Sequence, residues 1–412
     1  MLNDVIKKNA CSALLFALIS SHTITAMAAE QTKVALNDSV KASAPREHSN
    51  VIAFNTLQSL GAALYFDVNL SINRNQSCAT CHNPAKAFID DRANALNGAV
   101  SIGSDGKSIG DRNTPTASYA SFAPDFYQDK EGEYVGGMFH DGRAASLKEQ
   151  AEGPPLNLAE MAMPSKQDVL NRLLENEDYI ASFSMLFDEK VLTQSGDAFA
   201  AMSEAIGAFE KTPFFSSFDS KYDRYLKGEY QFNDLEKLGE TIFFSQQFTN
   251  CNQCHQLKRL PGQERETFSN YQYHNIGVPI NKAVRLAAGK GDDFIDHGLL
   301  ANPLVNDVKQ DGKFKVPTLR NVAVSGPYMH NGVFSDLKTV VLFYDKYNSR
   351  KKIRQINPET GEVWAEPEVA QNIALDKLTI GKALTDQRVD ALVAFMQTLT
   401  DRKYEYLLPK TH

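Results

Sequence analysis

Two pentapeptides constrain this chain more than any other feature: Cys78-Ala-Thr-Cys81-His82 and Cys251-Asn-Gln-Cys254-His255. Each is a Cys-x-x-Cys-His sequence. At that spacing two thiols can form thioethers with the vinyl groups of one c-type haem, and the adjacent imidazole can reach the iron. A single match in a chain of 412 residues could be a zinc or redox Cys-x-x-Cys. Two matches that absorb four of the five cysteines are not explained that way, and the spacing predicts two covalently bound haem c groups.

The fifth cysteine, Cys11, falls in a stretch that reads as a signal peptide. Lys7 and Lys8 precede an apolar run from Ala13 to Ile19, and Ala26-Met27-Ala28 supplies small residues for cleavage near Ala28 or Ala29. The run is too short to span a bilayer as a helix, and no later segment is a candidate for a membrane span. The expectation is therefore a periplasmic protein with no free cysteine for a disulfide, stapled by haem instead. The formal net charge of −7, carried by scattered charges, argues against a nucleic-acid partner. The short run Arg350-Lys351-Lys352 reads as a solvated loop.

A weak internal repeat organises the rest. Leu57, Leu60 and Leu64 recur at helical spacing before Tyr65 and Phe66. Leu235, Leu238, Ile242, Phe243 and Phe244 repeat the pattern, with Gly61 and Gly239 in matching places. Each run leads into a Cys-x-x-Cys-His motif, so the simplest meaning is two related domains. The predicted fold is mainly α: two cytochrome c-like domains, each with one covalent c-type haem, joined by a helical connector and long loops. The predicted boundaries are a signal peptide at 1–29, a flexible leader at 30–50, an N-terminal domain with the connector at 51–215, and a C-terminal domain at 216–412. In the connector, Ser165 and Asp168 form a capping pair, and Phe199, Met202, Ile206 and Phe209 form an apolar stripe. Val389, Leu392, Val393, Met396 and Leu399 mark a closing helix. Long loops are expected at 97–113, 270–282 and 289–303, and Trp364 is expected in a surface loop.

A haem protein's task depends on whether the sixth iron position is filled. No histidine lies between His82 and His140, so the first haem has no local histidine to close its distal side. Glu160 is a candidate acid–base group for moving a peroxide proton. On composition alone it reads as a surface glutamate before it reads as a catalytic one, and Tyr344 reads as an ordinary helix residue.

The chain resembles the bacterial diheme cytochrome c peroxidases over about residues 51–407. The resemblance is carried by Ser77-Cys-Ala-Thr-Cys-His82, Gly110-Asp-Arg-Asn113-Thr-Pro-Thr116, Asp141-Gly-Arg143, Glu160-Met-Ala-Met, Phe218-Asp-Ser-Lys-Tyr-Asp-Arg224, Glu264-Arg-Glu-Thr-Phe268, Tyr273-His-Asn-Ile-Gly277 and the long run Phe314 to Phe334. Within the family it is most similar to the methylamine-utilisation branch. Most members place methionine twelve residues after the glycine of a His-Asn/Asp-Gly segment; counting from Gly332 lands on Tyr344. That branch uses tyrosine there as an axial ligand, which favours higher oxidation states of the iron.

The resemblance implies His82 on an open first haem, with Glu160, Gln150 and Pro154 on its distal side. It implies His255 and Tyr344 on a second haem with both axial positions filled, and His140 between the two haems. It also implies a calcium ion held by Asn113 and the carbonyls of Ser325 and Pro327, a set of hard oxygen ligands. The implied reaction uses hydrogen peroxide, or oxygen plus electrons, to complete tryptophan tryptophylquinone in precursor methylamine dehydrogenase through a high-valent diheme state. The alternative is a peroxidase that reduces peroxide with electrons from a small donor protein. A third expectation, a simple electron-transfer cytochrome, requires both irons to be closed. Two departures bear on the protein substrate. His140 stands where the family has tryptophan between the haems, and Thr249 stands where the branch has the tryptophan that relays oxidation to the bound protein.

Overall fold

The computed structural model describes residues 53–257, 265–291 and 293–409. The expected signal peptide (1–29) and leader (30–50) lie outside the described residues, as does Glu264. The helices are α1 Leu57–Phe66, α2 Cys78–Cys81, α3 Leu147–Ala151, α4 Gly153–Leu156, α5 Lys166–Leu173, α6 Glu177–Leu186, α7 Ser195–Glu210, α8 Lys221–Leu226, α9 Asp234–Phe244, α10 Lys282–Ala287, α11 Leu337–Asp345, α12 Leu375–Leu378 and α13 Asp386–Gln397. Extended structure among the described residues is slight. Strand β1 (Tyr127–Gln128) pairs antiparallel with β2 (Tyr134–Val135), and β3 (Tyr273–His274) pairs antiparallel with β4 (Phe314–Lys315). The mainly α expectation holds. No helix among the described residues is long and apolar enough to cross a membrane.

Local chemistry starts the helices where the sequence places them. Thr56 and Ser59 cap α1 reciprocally, and Asn233 and Glu236 do the same for α9. The Ser165 hydroxyl accepts from the Asp168 amide at the head of α5, as the spacing predicted.

The apolar faces build two clusters. Leu60, Leu64, Tyr65, Phe199, Met202, Ile206 and Phe209 belong to one. Ile242, Phe243, Phe343, Leu392, Phe395 and Leu399 belong to the other. Each is organised by one helix crossing with glycine at its centre. A Cβ on Gly61 in α1 would lie 1.9 Å from the Ala205 carbonyl oxygen of α7, and a Cβ on Gly239 in α9 would lie 1.9 Å from the Ala391 carbonyl oxygen of α13. The internal repeat is thus a repeated backbone-to-backbone contact. The chain end returns to the first cluster: Tyr404 is buried there, and the Tyr404 and Tyr406 hydroxyls donate to the Pro84 and Ala85 carbonyls at 2.8 Å each.

Trp364 corrects one expectation. It is 7% exposed, with its indole N–H donating to the Arg354 carbonyl at 2.8 Å and its ring against Phe334 and Phe343. The polar composition of its segment concealed this, because Val363 beside it is exposed.

Two buried arginines tie distant loops together. Arg112, in the 97–113 loop, meets Asp141 at 2.6 Å and Asp296 at 2.6 and 2.7 Å. Arg320, fully buried, meets Asp223 at 2.6 Å and the Glu266 carbonyl at 2.8 and 3.0 Å. Burial alone would raise the Asp141 and Asp296 carboxyls, but Arg112 overrides it and holds both below the usual carboxylate range.

Two predictions follow from this packing. Gly61→Ala and Gly239→Ala should each destabilise the protein toward the top of the overpacking range of about 1–3 kcal/mol, because backbone must move; thermal denaturation followed by circular dichroism checks this. Arg112→Met strands Asp296 and leaves Asp141 with Arg143 alone, and should cost about 3–5 kcal/mol at neutral pH. Depressed carboxyls stabilise the fold above their unfolded value of about 4 and lose that stabilisation as pH falls toward their folded value. Denaturant titrations should therefore show the gap between Arg112→Met and the parent closing in acid.

Candidate active site

The buried walls of the two clusters enclose a cavity of about 820 Å3, large for a cofactor site. All fourteen predicted site residues lie on its wall. Cys78, Cys81, His82, Gln150, Pro154 and Glu160 come from the first half; Cys251, Cys254, His255 and Tyr344 come from the second; Asn113, His140, Ser325 and Pro327 complete it.

Each motif histidine lies against a backbone carbonyl, and His82 also has the Pro115 carbonyl beside it. The His82 Nδ1 lies 3.3 Å from the Phe88 oxygen, and the His255 Nδ1 lies 2.9 Å from the Phe268 oxygen. A carbonyl can only accept, so Nδ1 carries the hydrogen and Nε2 keeps its lone pair. Burial lowers both imidazoles, His255 to about 4, so they are neutral. Phe88 and Phe268 both take positive φ, 58° and 55°, to turn their carbonyls this way. A threonine buttresses each turn: Thr116 donates to the Ala87 carbonyl at 2.5 Å, and Thr318 donates to the Thr267 carbonyl at 2.7 Å. Sequence reading missed this second repeat. Its signal was the recurrence of Pro115-Thr116 as Pro317-Thr318.

Glu160 follows α4 in a tight turn, its amide donating to the Asn157 carbonyl at 3.0 Å and its carbonyl accepting from Ser104 at 2.7 Å. One carboxyl oxygen is buried with no protein partner. Burial pushes this carboxyl up against the opposing pull of Arg143 and Asn157. It is therefore a cavity residue rather than the surface glutamate that composition allowed. Gln150 sits near the end of α3 and Pro154 opens α4.

Tyr344 lies in α11, which Asp336 caps by accepting from the Lys338 amide. Its buried phenol is pushed well up, first by burial and then by the Cys254 and Cys251 sulfurs nearby. Such a phenol ionises only against a strong positive centre.

The His140 Nε2 lies 2.9 Å from the Asn113 carbonyl oxygen, and burial lowers this imidazole to about 4. Asn113 donates through its side-chain nitrogen to the Ala99 carbonyl at 3.0 Å, which leaves its amide oxygen for another partner. Thr249 is buried, its hydroxyl donating to the Ile242 carbonyl at 2.7 Å. His330 stacks on Phe314 with centroids 3.6 Å apart.

The wall fits a haem pair. It offers four free thiols and two neutral imidazoles with lone pairs available. Buried polar atoms without protein partners also face it, on Gln76, Glu160, His274 and His330. Groups of this kind need a polar guest. Among the described residues, no group of three or more His, Cys, Asp or Glu converges on a metal ion, so a cation near Asn113 would rest on amide and carbonyl oxygens.

The comparisons agree with this wall. The family model for di-haem cytochrome c peroxidase matches residues 55–231. The methylamine utilization protein MauG of Paracoccus denitrificans is 54% identical over 87% of this chain and 92% of its own length. The cytochrome c551 peroxidase of Pseudomonas aeruginosa is 29% identical over 85% of this chain and 81% of its own. The crystal structure of the diheme peroxidase BthA from Burkholderia thailandensis superposes with a TM-score of 0.78 at 28% identity, over 88% of this chain and 90% of that one. A chain this similar to MauG, built around a cavity that gathers both haem-attachment motifs, belongs to the di-haem cytochrome c peroxidase family and is a haem-dependent oxidoreductase with two haem groups.

Proposed function

We propose that the chain uses hydrogen peroxide, or oxygen plus electrons, to complete tryptophan tryptophylquinone in precursor methylamine dehydrogenase. The observation that carries this reading is Tyr344, whose phenol shares the cavity wall with Cys251, Cys254 and His255. A methionine there would suit electron acceptance from a small donor; a phenolate favours storing oxidising power. The 54% identity to a methylamine utilization protein supports the same substrate. The two halves, 51–215 and 216–412, each hold one haem, through Cys78, Cys81 and His82 and through Cys251, Cys254 and His255. Calcium lies between them on Asn113, Ser325 and Pro327. The setting is periplasmic, after cleavage near Ala28 or Ala29.

When bound, the haems supply the iron that peroxide oxidises and hold the oxidising equivalents until they are used. This chain's residues do the rest. Glu160, whose carboxyl burial pushes up, would take a proton from one peroxide oxygen and give it to the other. Gln150 and Pro154 shape that pocket. Tyr344, once its phenol proton has passed to water, would hold the second haem with His255. Two electrons drawn from tryptophans of the protein substrate, with two protons, convert one peroxide to two waters. The substrate stays at the surface, because the cavity does not admit a folded protein.

A second reading, a peroxidase fed by a small donor protein, gains from Thr249. That buried hydroxyl replaces the relay tryptophan of the methylamine-utilisation branch.

Incubation of the holoenzyme with immature dehydrogenase and peroxide should produce quinone absorbance. Rapid peroxide turnover with reduced cytochrome, and no quinone, would favour the second reading. Tyr344→Met should change only the low-spin ferric signal and abolish quinone formation. Glu160→Gln should slow the reaction with peroxide by about two to four orders of magnitude in stopped-flow traces, while both haem spectra stay in place.

A further inference from the structure

The two glycine crossings give an internal ruler. Cβ atoms on Gly61 and Gly239 would meet Ala205 and Phe209 in one half, and Ala391 and Phe395 in the other. Four residues past each glycine stand Tyr65 and Phe243. Five residues past each alanine stand Glu210 and Met396. All four line the cavity. The second half therefore presents phenylalanine and methionine where the first presents a phenol and a carboxylic acid.

Neither polar group is a surface residue that strayed inward. Glu210 is 6% exposed and Tyr65 is 1% exposed, and the Glu210 Oε2 and the Tyr65 hydroxyl have no protein partner. Among the described residues no cation pairs with the carboxyl. Lys148 pairs with Glu204, Lys166 lies by Glu152 and over Phe199, and Lys403 donates to the Phe214 carbonyl. The titratable groups on this side are Tyr65 from α1, Tyr404 from the chain end, and Glu160 across the pocket, with the Cys78 sulfur between. An unpaired carboxyl in an apolar wall is a cost that the second half avoids. Burial lifts Glu210 to about 8, so it carries a proton at neutral pH.

We propose that Glu210, supported by Tyr65, is the proton-holding electrostatic partner of the first haem, releasing its proton when the first iron gives up an electron and regaining it when the electron returns. The inference rests on the reading that Cys78, Cys81 and His82 carry that haem. With haem bound there, peroxide or a chemical oxidant would take one electron from the site. The Glu210 O–H bond then breaks, the proton leaves to water, and the carboxylate offsets the added positive charge. On reduction the same proton returns, so the local charge stays level through the cycle. At the matching positions the second haem would meet Phe243 and Met396, neither of which holds a proton to release.

The test is a spectroelectrochemical titration of both haems in the purified holoprotein across the neutral pH range, for the parent, Glu210→Gln and Glu210→Met. The potential of the first haem should fall with rising pH in the parent, by up to about one proton per electron. That slope should shrink in both variants, leaving only what Glu160 contributes, and their potentials should lie above the parent's at high pH. The second haem should not change. On the parent alone, infrared redox difference spectra should show a protonated-carboxyl band lost on oxidation. An unchanged slope in Glu210→Gln, or no such band in the parent, overturns the proposal. Mass spectrometry separates the two failures: a first motif without haem would overturn the attachment reading along with the proposal, whereas an attached haem with an unchanged slope overturns the proposal alone.

Discussion

Everything in this molecule depends on two places where one helix lies directly on another with no side chain between them. At Gly61 and Gly239 the backbone itself is the contact surface, and any larger residue would press on the carbonyl of Ala205 or Ala391. The crossing fixes which residues of α7 and α13 face inward: Ile206 and Glu210 in one half, Leu392 and Met396 in the other. Those residues are cavity wall. The space for a cofactor is thus set by backbone geometry first and tuned by side chains second.

The electrostatics of the wall have one theme. Burial lowers the imidazoles of His140 and His255 to about 4 and pushes up the carboxyls of Glu160 and Glu210 and the phenol of Tyr344. Neutral imidazoles are the form that binds metal, and protonated carboxyls are the form that donates. The arginine braces stand apart from this theme: Arg112, itself on the wall with Asp141 and Asp296, and Arg320 with Asp223 form tight pairs between residues up to 184 positions apart in sequence.

Much of this could be read in advance. The attachment motifs, the glycine repeat, the apolar stripes and the Ser165 cap are local patterns, and local patterns survive without a fold. Glu160 and Tyr344 were legible only through family resemblance, since a lone glutamate or a helical tyrosine carries no periodic signal. The arginine braces were not legible, because Arg112 finds Asp296 only after the chain has turned many times. Trp364 misled because exposed and polar neighbours flank a ring that turns inward. Glu210 carried no signal in the sequence; only the helix crossing shows its counterpart to be a methionine.

The return of Tyr404 and Tyr406 to the carbonyls of Pro84 and Ala85 has a consequence for how such a chain is made. Synthesis runs from the amino end, so the first attachment motif emerges long before the residues that close over its neighbourhood. Until Tyr404 appears, the core around Leu60 and Phe215 lacks one of its walls. The first half is therefore completed only after α13 of the second half has been made.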